Sequence, residues 1–254
     1  MKLKTLLTEI ESEQDQISIL KKECPFAIEI YKKFNYLFFR GSKNVSVFEK
    51  IKPLVNRLSR DSSNVANLLF DNNKDNSSYQ KRSSSIIFSG IKRVAEIYGN
   101  VHVFFPKGNA KITFSKSDFI YTKLINVPMI LDTFGNETFN FLFDIIAPEQ
   151  TKATSFEQLV KYFKIIDTMD KKHLSEMTFS NTKFQEFVYK PFIKNNVKNS
   201  YDYFSSFVSN KNLNFVGNIL MSELNNIKHP ELWTQEEGYM IDFKHFYDNL
   251  RNKL

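Results

Sequence analysis

The chain has 254 residues, 42% of them hydrophobic and 25% charged, which suits one large domain or one domain carrying a substantial insertion. The formal net charge of +7 favours an anionic partner such as a nucleotide, a nucleic acid or an acidic protein surface. One cysteine, Cys24, excludes an internal disulfide, and four histidines without ligand spacing exclude a structural zinc site, so no metal is expected. No run approaches the ~18 apolar residues of a membrane span and no signal-peptide pattern follows Met1, so neither a membrane partner nor export is expected.

Leu3, Leu6, Leu7 and Ile10 recur at helical spacing, with Ile17 and Leu20 behind them, and predict an amphipathic helix over 2–22. Pro25 breaks it, and a second helix is expected over 26–34. Tyr36-Leu37-Phe38-Phe39 reads as a strand ending at Arg40-Gly41-Ser42. Residues 45–60 read as helical, with Pro53 as a kink or start, and Asp71 to Ser78 as a polar loop. Ser84 to Phe88 has strand character, and Ile91 to Tyr98 forms a short helix closed by Gly99-Asn100. His102 to Pro106 and Lys111 to Ser115 read as strands, and the turn at 107–109 predicts a hairpin between them. From 117 to 228 the pattern is mostly helical. Phe156, Leu159, Val160 and Phe163 keep the period behind a Ser155/Gln158 capping box, as do Phe184, Phe187 and Val188, and Leu220, Leu224 and Ile227. Gly238 to Phe243 closes the series as a strand, and Trp233 reads as a core or lid anchor.

Three short pieces carry chemistry in a fixed order: Phe39-Arg40-Gly41, Arg82-Ser83-Ser84-Ser85 and Gln235-Glu236-Glu237. An arginine grips a pyrophosphate with its planar fork. Small hydroxyl residues orient a carboxylate. A glutamate near a ribose stabilises the positive charge that develops when a glycosidic bond breaks. Each piece has an ordinary structural explanation too: a solvated strand end, a loop-to-strand junction and a polar turn.

In this order the pieces resemble the Arg–Ser–Glu class of ADP-ribosyltransferases, in which an Arg closes the first core strand, a Ser-x-Ser motif opens the second, and a Gln/Glu-x-Glu motif precedes a late strand. A further set is similar to proteins of large tailed bacteriophages: Arg57, Arg60 to Ser63, Arg82-Ser83, Ala95, Tyr98-Gly99, Phe105 to Gly108, Phe114-Ser115 and Glu237 to Ile241. Together the likeness covers roughly 36–118 and 235–247, under half of the chain. Leu7-Thr8-Glu9 also resembles the Leu/Ile-x-Glu sites that prohead proteases cut. The resemblance implies an α+β fold, an ADP-ribosyltransferase-like split β core with N-terminal helices over 1–35. The core's first part would span 36–116, a long helical insertion 117–228, and the completing strands 229–254.

It also implies roles. Glu237 would be the catalytic carboxylate, and Gln235 would help select the acceptor. Arg40, Gly41, Ser83, Ser85, Phe88 and Tyr98 would contact NAD⁺ (the substrate rather than a resident cofactor), with Phe88 and Tyr98 as walls for the nicotinamide. The implied activity is transfer of ADP-ribose from NAD⁺ to a host protein or other macromolecule, in the virion or the host cytoplasm. The alternative is a non-catalytic structural or accessory virion protein of the same fold, its partners being other virion proteins. A basic nucleic-acid-binding module is a third reading, disfavoured by the absence of a recognisable motif. About 150 residues separate Ser85 from Glu237, so the chemistry depends on the fold bringing them together.

Overall fold

Ser12 starts the first helix, α1 (Glu13–Glu23), because its hydroxyl accepts the Asp15 N–H while the Asp15 carboxylate accepts the Ser12 N–H. Pro25 then occupies the first turn of α2 (Pro25–Phe34), where its missing N–H costs nothing, and Asn35 ends that helix in the left-handed region at φ 51°. The computed structural model describes residues 12–43, 46–55, 65–115, 155–168, 198–207, 209, 216–224, 229 and 231–254. The first turns expected of the N-terminal helix, the Leu7 to Glu9 tripeptide, Arg57, Arg60 to Ser63, the stretch 117–154, the Phe184 to Val188 period and Ile227 lie outside these residues. The chain is α+β with two antiparallel sheets. It divides into two units: unit 1 is Met1–Pro53, Ile86–Ile112 and Ile219–Leu254, and unit 2 is Leu54–Ser85 and Thr113–Asn218.

Unit 1 holds a sheet of order β1-β4-β8-β2, formed by β1 (Phe38–Ser42), β2 (Phe48–Ile51), β4 (Asn100–Pro106) and β8 (Gly238–Asp242). Strand alternation divides its side chains cleanly. Phe39, Val103, Phe105 and Ile241 share one face, and the C-terminal helical residues cover it, with Phe243 6.1 Å from Phe39 and Phe246 5.6 Å from Phe105 between ring centroids. Phe38, Phe104 and Met240 share the other face, where the Phe88 ring packs 5.3 Å from Phe38 and 5.0 Å from Phe104. Phe88 belongs to β3 (Ile86–Phe88), which pairs with β7 (Leu232–Thr234). These two open a second sheet of order β3-β7-β5-β6, whose members β5 (Lys111–Ser115) and β6 (Val216–Leu220) each contain a unit boundary. A single bridge, Phe39↔Ser89, joins β1 to the end of β3.

Close backbone approach explains two glycines. A Cβ on Gly41 would lie 2.1 Å from the Ala95 carbonyl of α4 (Lys92–Glu96) and 2.7 Å from Cβ of Tyr98. Gly99, at φ +125°, stands where a Cβ would meet the Ser42 carbonyl at 2.7 Å. The Tyr98-Gly99 pair therefore lets α4 dock on the end of β1.

Unit 2 packs α3 (Val65–Asn72), α5 (Phe156–Thr168) and α6 (Ser200–Phe207). Ser155 caps α5 by accepting the Gln158 N–H at 3.3 Å. Tyr201 sets its ring 5.7 Å from Phe156 and 6.1 Å from Phe163, and the Ser200 hydroxyl donates to the Phe163 carbonyl at 3.0 Å. Asn73 ties α3 to α6 by donating to the Ser205 carbonyl at 2.8 Å.

Four expectations change. Residues 48–51 are a strand rather than helix, because Phe48 stacks on Tyr239 across the sheet and Pro53 stands two residues after its end. Residues 100–106 and 111–115 do not form a hairpin. Both sides of β4 are taken by β1 and β8, and β5 continues into the other sheet. Leu220 and Leu224 flank a 3₁₀ turn after β6 instead of lying in a helix. Finally, residues 54–85 group with 113–218 rather than with the first core segment.

Candidate functional site

Arg40 lies on the sheet face that carries Phe38 and Phe104, and register sets it in a row with His102 and Asp242 across β1, β4 and β8. Its Nη1 donates to the Ile87 carbonyl of β3. Burial pushes the guanidinium below its usual range and nearby Glu49 opposes that, yet Arg remains charged in any case. His102 is only 1% exposed. Its Nδ1 lies 3.0 Å from the Asn100 carbonyl, while its Nε2 is buried without a partner. Asp242 accepts the His245 N–H at 2.9 Å and so caps the short C-terminal helix Phe243–His245.

On the other side of Arg40, Ser89 bridges to Phe39, and its hydroxyl closes a tight turn by accepting the Ile91 N–H at 2.9 Å. The pair Phe88↔Leu232 ends the β3–β7 ladder, so Ser89 and Glu231 occupy the next positions along the two strands. Gly90 still donates to the His229 carbonyl at 2.8 Å, which keeps the two chains side by side there. Glu231 is buried at 7% exposure. It therefore stands two strands from β1 at the level of Phe39, about 10 Å from Arg40 between Cα atoms at the usual strand spacing, and register puts the Ser89 and Glu231 side chains on the Phe39 face, opposite Arg40.

Glu237 lies elsewhere. It precedes Gly238, which pairs with Pro106, whereas Arg40 pairs with His102 and through it Asp242. Five residues along and two strands across correspond to about 19 Å between Cα atoms. The Glu237 carboxylate is held by Lys50 Nζ at 3.1 Å and Lys52 Nζ at 3.5 Å, and the hydrogen bond from Lys50 is the main reason its pKa falls below the usual carboxylate range. Lys50 also reaches Glu23 at 3.7 Å, and Lys107 closes the group by meeting Glu23 at 3.1 Å. Here the structure departs from the expected trio: Glu237 is part of an ion network at one end of β8 and β2, and Gln235 is exposed on the preceding turn.

The remaining expected contacts have clear surroundings. Gly41 and Tyr98 meet at the α4 junction beside Arg40, and Tyr98 is 52% exposed. Phe88 is core, enclosed by Phe38 and Phe104. Ser83 and Ser85 belong to unit 2. Ser83 gives its N–H to Asp71 at 2.9 Å, and Ser85 is buried with its hydroxyl donating to the Lys81 carbonyl at 2.6 Å. Both serve local turns.

Ser89 and Glu231, which the sequence reading did not single out, lie at this junction. The signals were present: Ser89-Gly90 follows the apolar run Ile86 to Phe88, and Glu231 directly precedes Leu232-Trp233-Thr234. Among the described residues no cluster of three His, Cys, Asp or Glu side chains could hold a metal ion, and no helix is long and apolar enough to cross a membrane. No protein-family model, curated protein or solved structure matches the chain.

Proposed function

We propose that the chain is an ADP-ribosyltransferase-like protein of a large tailed phage, transferring ADP-ribose from NAD⁺ to a host macromolecule. The observation that carries this reading is the Phe39↔Ser89 bridge, with Arg40 tied to Ile87 and Gly90 tied to His229. It brings the segments carrying Arg40, Ser89 and Glu231 to one strand junction in unit 1, with Ser89 and Glu231 in register with Phe39 and so on the other face from Arg40. On this reading Arg40 is the pyrophosphate cation, and Glu231, buried at the same junction, is set against Glu237 as the candidate carboxylate. Arg40 would hold the pyrophosphate. The bond from ribose C1′ to the nicotinamide nitrogen breaks with its electron pair leaving on nicotinamide. Glu231 would stabilise the resulting charge and accept the proton of the incoming nucleophile, which bonds to C1′.

The test is nicotinamide release and label transfer from NAD⁺ in host lysate. Arg40→Ala and Glu231→Gln are each expected to lose at least ~100-fold in rate, the scale of removing one electrostatic stabiliser of a transition state, while Glu237→Gln keeps most activity. An inert wild-type protein, or a Glu231→Gln variant as fast as wild type, overturns the reading.

One observation favours the alternative of a non-catalytic virion protein. The Arg40 guanidinium is half-buried and already satisfied by the Ile87 carbonyl, as a structural arginine would be. On that reading Arg40→Ala lowers stability, and NAD⁺ is untouched by any variant.

A further inference from the structure

Two clefts flank the last turn of α2, both within unit 1. The first, about 520 Å³, is bordered by Lys21, Pro25, Lys32 and Lys33. The second, about 560 Å³, lies between α2, β1 and the C-terminal helical residues, and Phe34, Phe39, Phe243 and Tyr247 give it aromatic walls. Lys33 lines the first and its neighbour Phe34 the second, so the two belong to one stretch of surface.

Charge on this surface is one-sided. Lys21, Lys32 and Lys33 line the first cleft, Lys92 and Arg251 the second, and Glu29 is the one acid of either lining among the described residues. Lys92 is paired with Glu96 at 3.5 Å, and Lys21 donates to the Lys253 carbonyl at 3.0 Å. Lys32 and Lys33 are exposed, and no described acid pairs with them. Apolar surface is open beside them, since Phe34 is 36% exposed and Tyr247 48%. Exposed aromatic rings rimmed by cations have the composition of a protein-binding patch.

The rings argue against a nucleic acid here. Lys33 Nζ sits 5.1 Å from the Phe34 centroid, Lys92 Nζ 4.2 Å from that of Phe243, and the Arg251 guanidinium 3.6 Å over Tyr247. A single strand needs open ring faces for its bases, and each of these rings already carries a cation. Carboxylates need only the free lysines, and an aliphatic side chain needs only ring edges. A second copy of the chain is disfavoured by its own net charge of +7.

We infer that this surface docks an acidic segment of a partner protein, its carboxylates on Lys32 and Lys33 and an aliphatic side chain against Phe34 and Tyr247. The inference holds whether or not the chain is a transferase.

The experiment selects a random library of peptides of ~12 residues on the full chain. The enriched sequence is then made as a fluorescent probe and its binding read by anisotropy. Enrichment of Asp and Glu around an aliphatic residue is expected. Replacing the probe's acids by their amides should weaken it at least ~10-fold, as should the pair Lys32→Glu and Lys33→Glu and, separately, Tyr247→Ser. Lys81→Glu, in unit 2, should leave binding unchanged. All four side chains are exposed, and unchanged melting temperatures check that the variants fold. Raising salt from ~50 to ~300 mM should weaken the probe several-fold. No enrichment, enrichment without acids, or a probe indifferent to these substitutions overturns the inference. So does a different occupant: self-association, or binding of an oligothymidylate in preference to the probe, that the same substitutions abolish.

Discussion

Glu237 and Glu23 share lysines, and both carboxyls titrate below the ordinary value of 4.5, Glu23 chiefly through its hydrogen bond with Lys107 and Glu237 through that with Lys50. A carboxyl depressed in the folded state binds its proton more readily when unfolded. Its contribution to stability is therefore complete above the unfolded pKa and disappears as pH falls through the folded one. Glu237→Gln should accordingly lower the urea midpoint at neutral pH, and the gap from wild type should close below about pH 4. A gap that is constant from pH 7 to pH 3 would show that the Lys50–Glu237 contact has no electrostatic content. Cys24 illustrates the opposite influence. Buried in apolar surroundings with its thiol donating to the Phe105 carbonyl at 3.4 Å, it is pushed up to about 12 and is no nucleophile at neutral pH.

At the scale of elements, β8 is the strand on which the first sheet depends, since it pairs with β4 on one side and β2 on the other. Its first residue must be small. A Cβ on Gly238 would come within 2.4 Å of Phe104 Cε2 and 2.6 Å of the Phe105 carbonyl. Because one of these atoms is backbone, Gly238→Ala should cost about 1–3 kcal/mol, the scale of overpacking, measured by urea unfolding. Most strands were legible from their residues: β1, β3, β4, β5 and β8 are aromatic or β-branched runs ended by Gly, Pro or polar turns. β2 was not, because its apolar residues Phe48 and Ile51 are three apart and fit a helix as well as a strand. β7 was too short to show a period, and its Trp233 was read as an anchor. With β7 unseen, the only glutamate standing before a late strand was Glu237, whereas Glu231 holds the same place before β7. Arg40 stood out because a cation closes the aromatic run Phe38-Phe39, and in the fold it reaches the Ile87 carbonyl. Ser83 lies in a 3₁₀ turn and Ser85 just after it, and a serine triplet has the same appearance there as at a strand entrance.

For the molecule as a whole, composition was a fair guide to class and a poor guide to partition. The two units interleave along the chain, and no composition shift marks Pro53, Ser85 or Ile112. Unit 1 takes the central strand of its first sheet from a segment far from the others. Deleting residues 238–254 should leave β4 paired only with β1, itself held otherwise by the Phe39↔Ser89 bridge. Hydrogen exchange would then read peptides of β4 as unprotected within seconds, as expected for an isolated two-stranded pair. Retained protection would mean that β8 is dispensable.

The same arrangement has a consequence for biosynthesis. β4 leaves the ribosome with one side occupied by β1, but its second neighbour follows only after about 130 more residues, which at ~5–20 residues per second is on the order of ten seconds of translation. Throughout that interval an aromatic strand of sequence Val-His-Val-Phe-Phe presents bare amides and carbonyls to solvent. Successful production of the chain thus turns on keeping that margin shielded until Gly238 to Asp242 arrives, and slower translation lengthens the hazard.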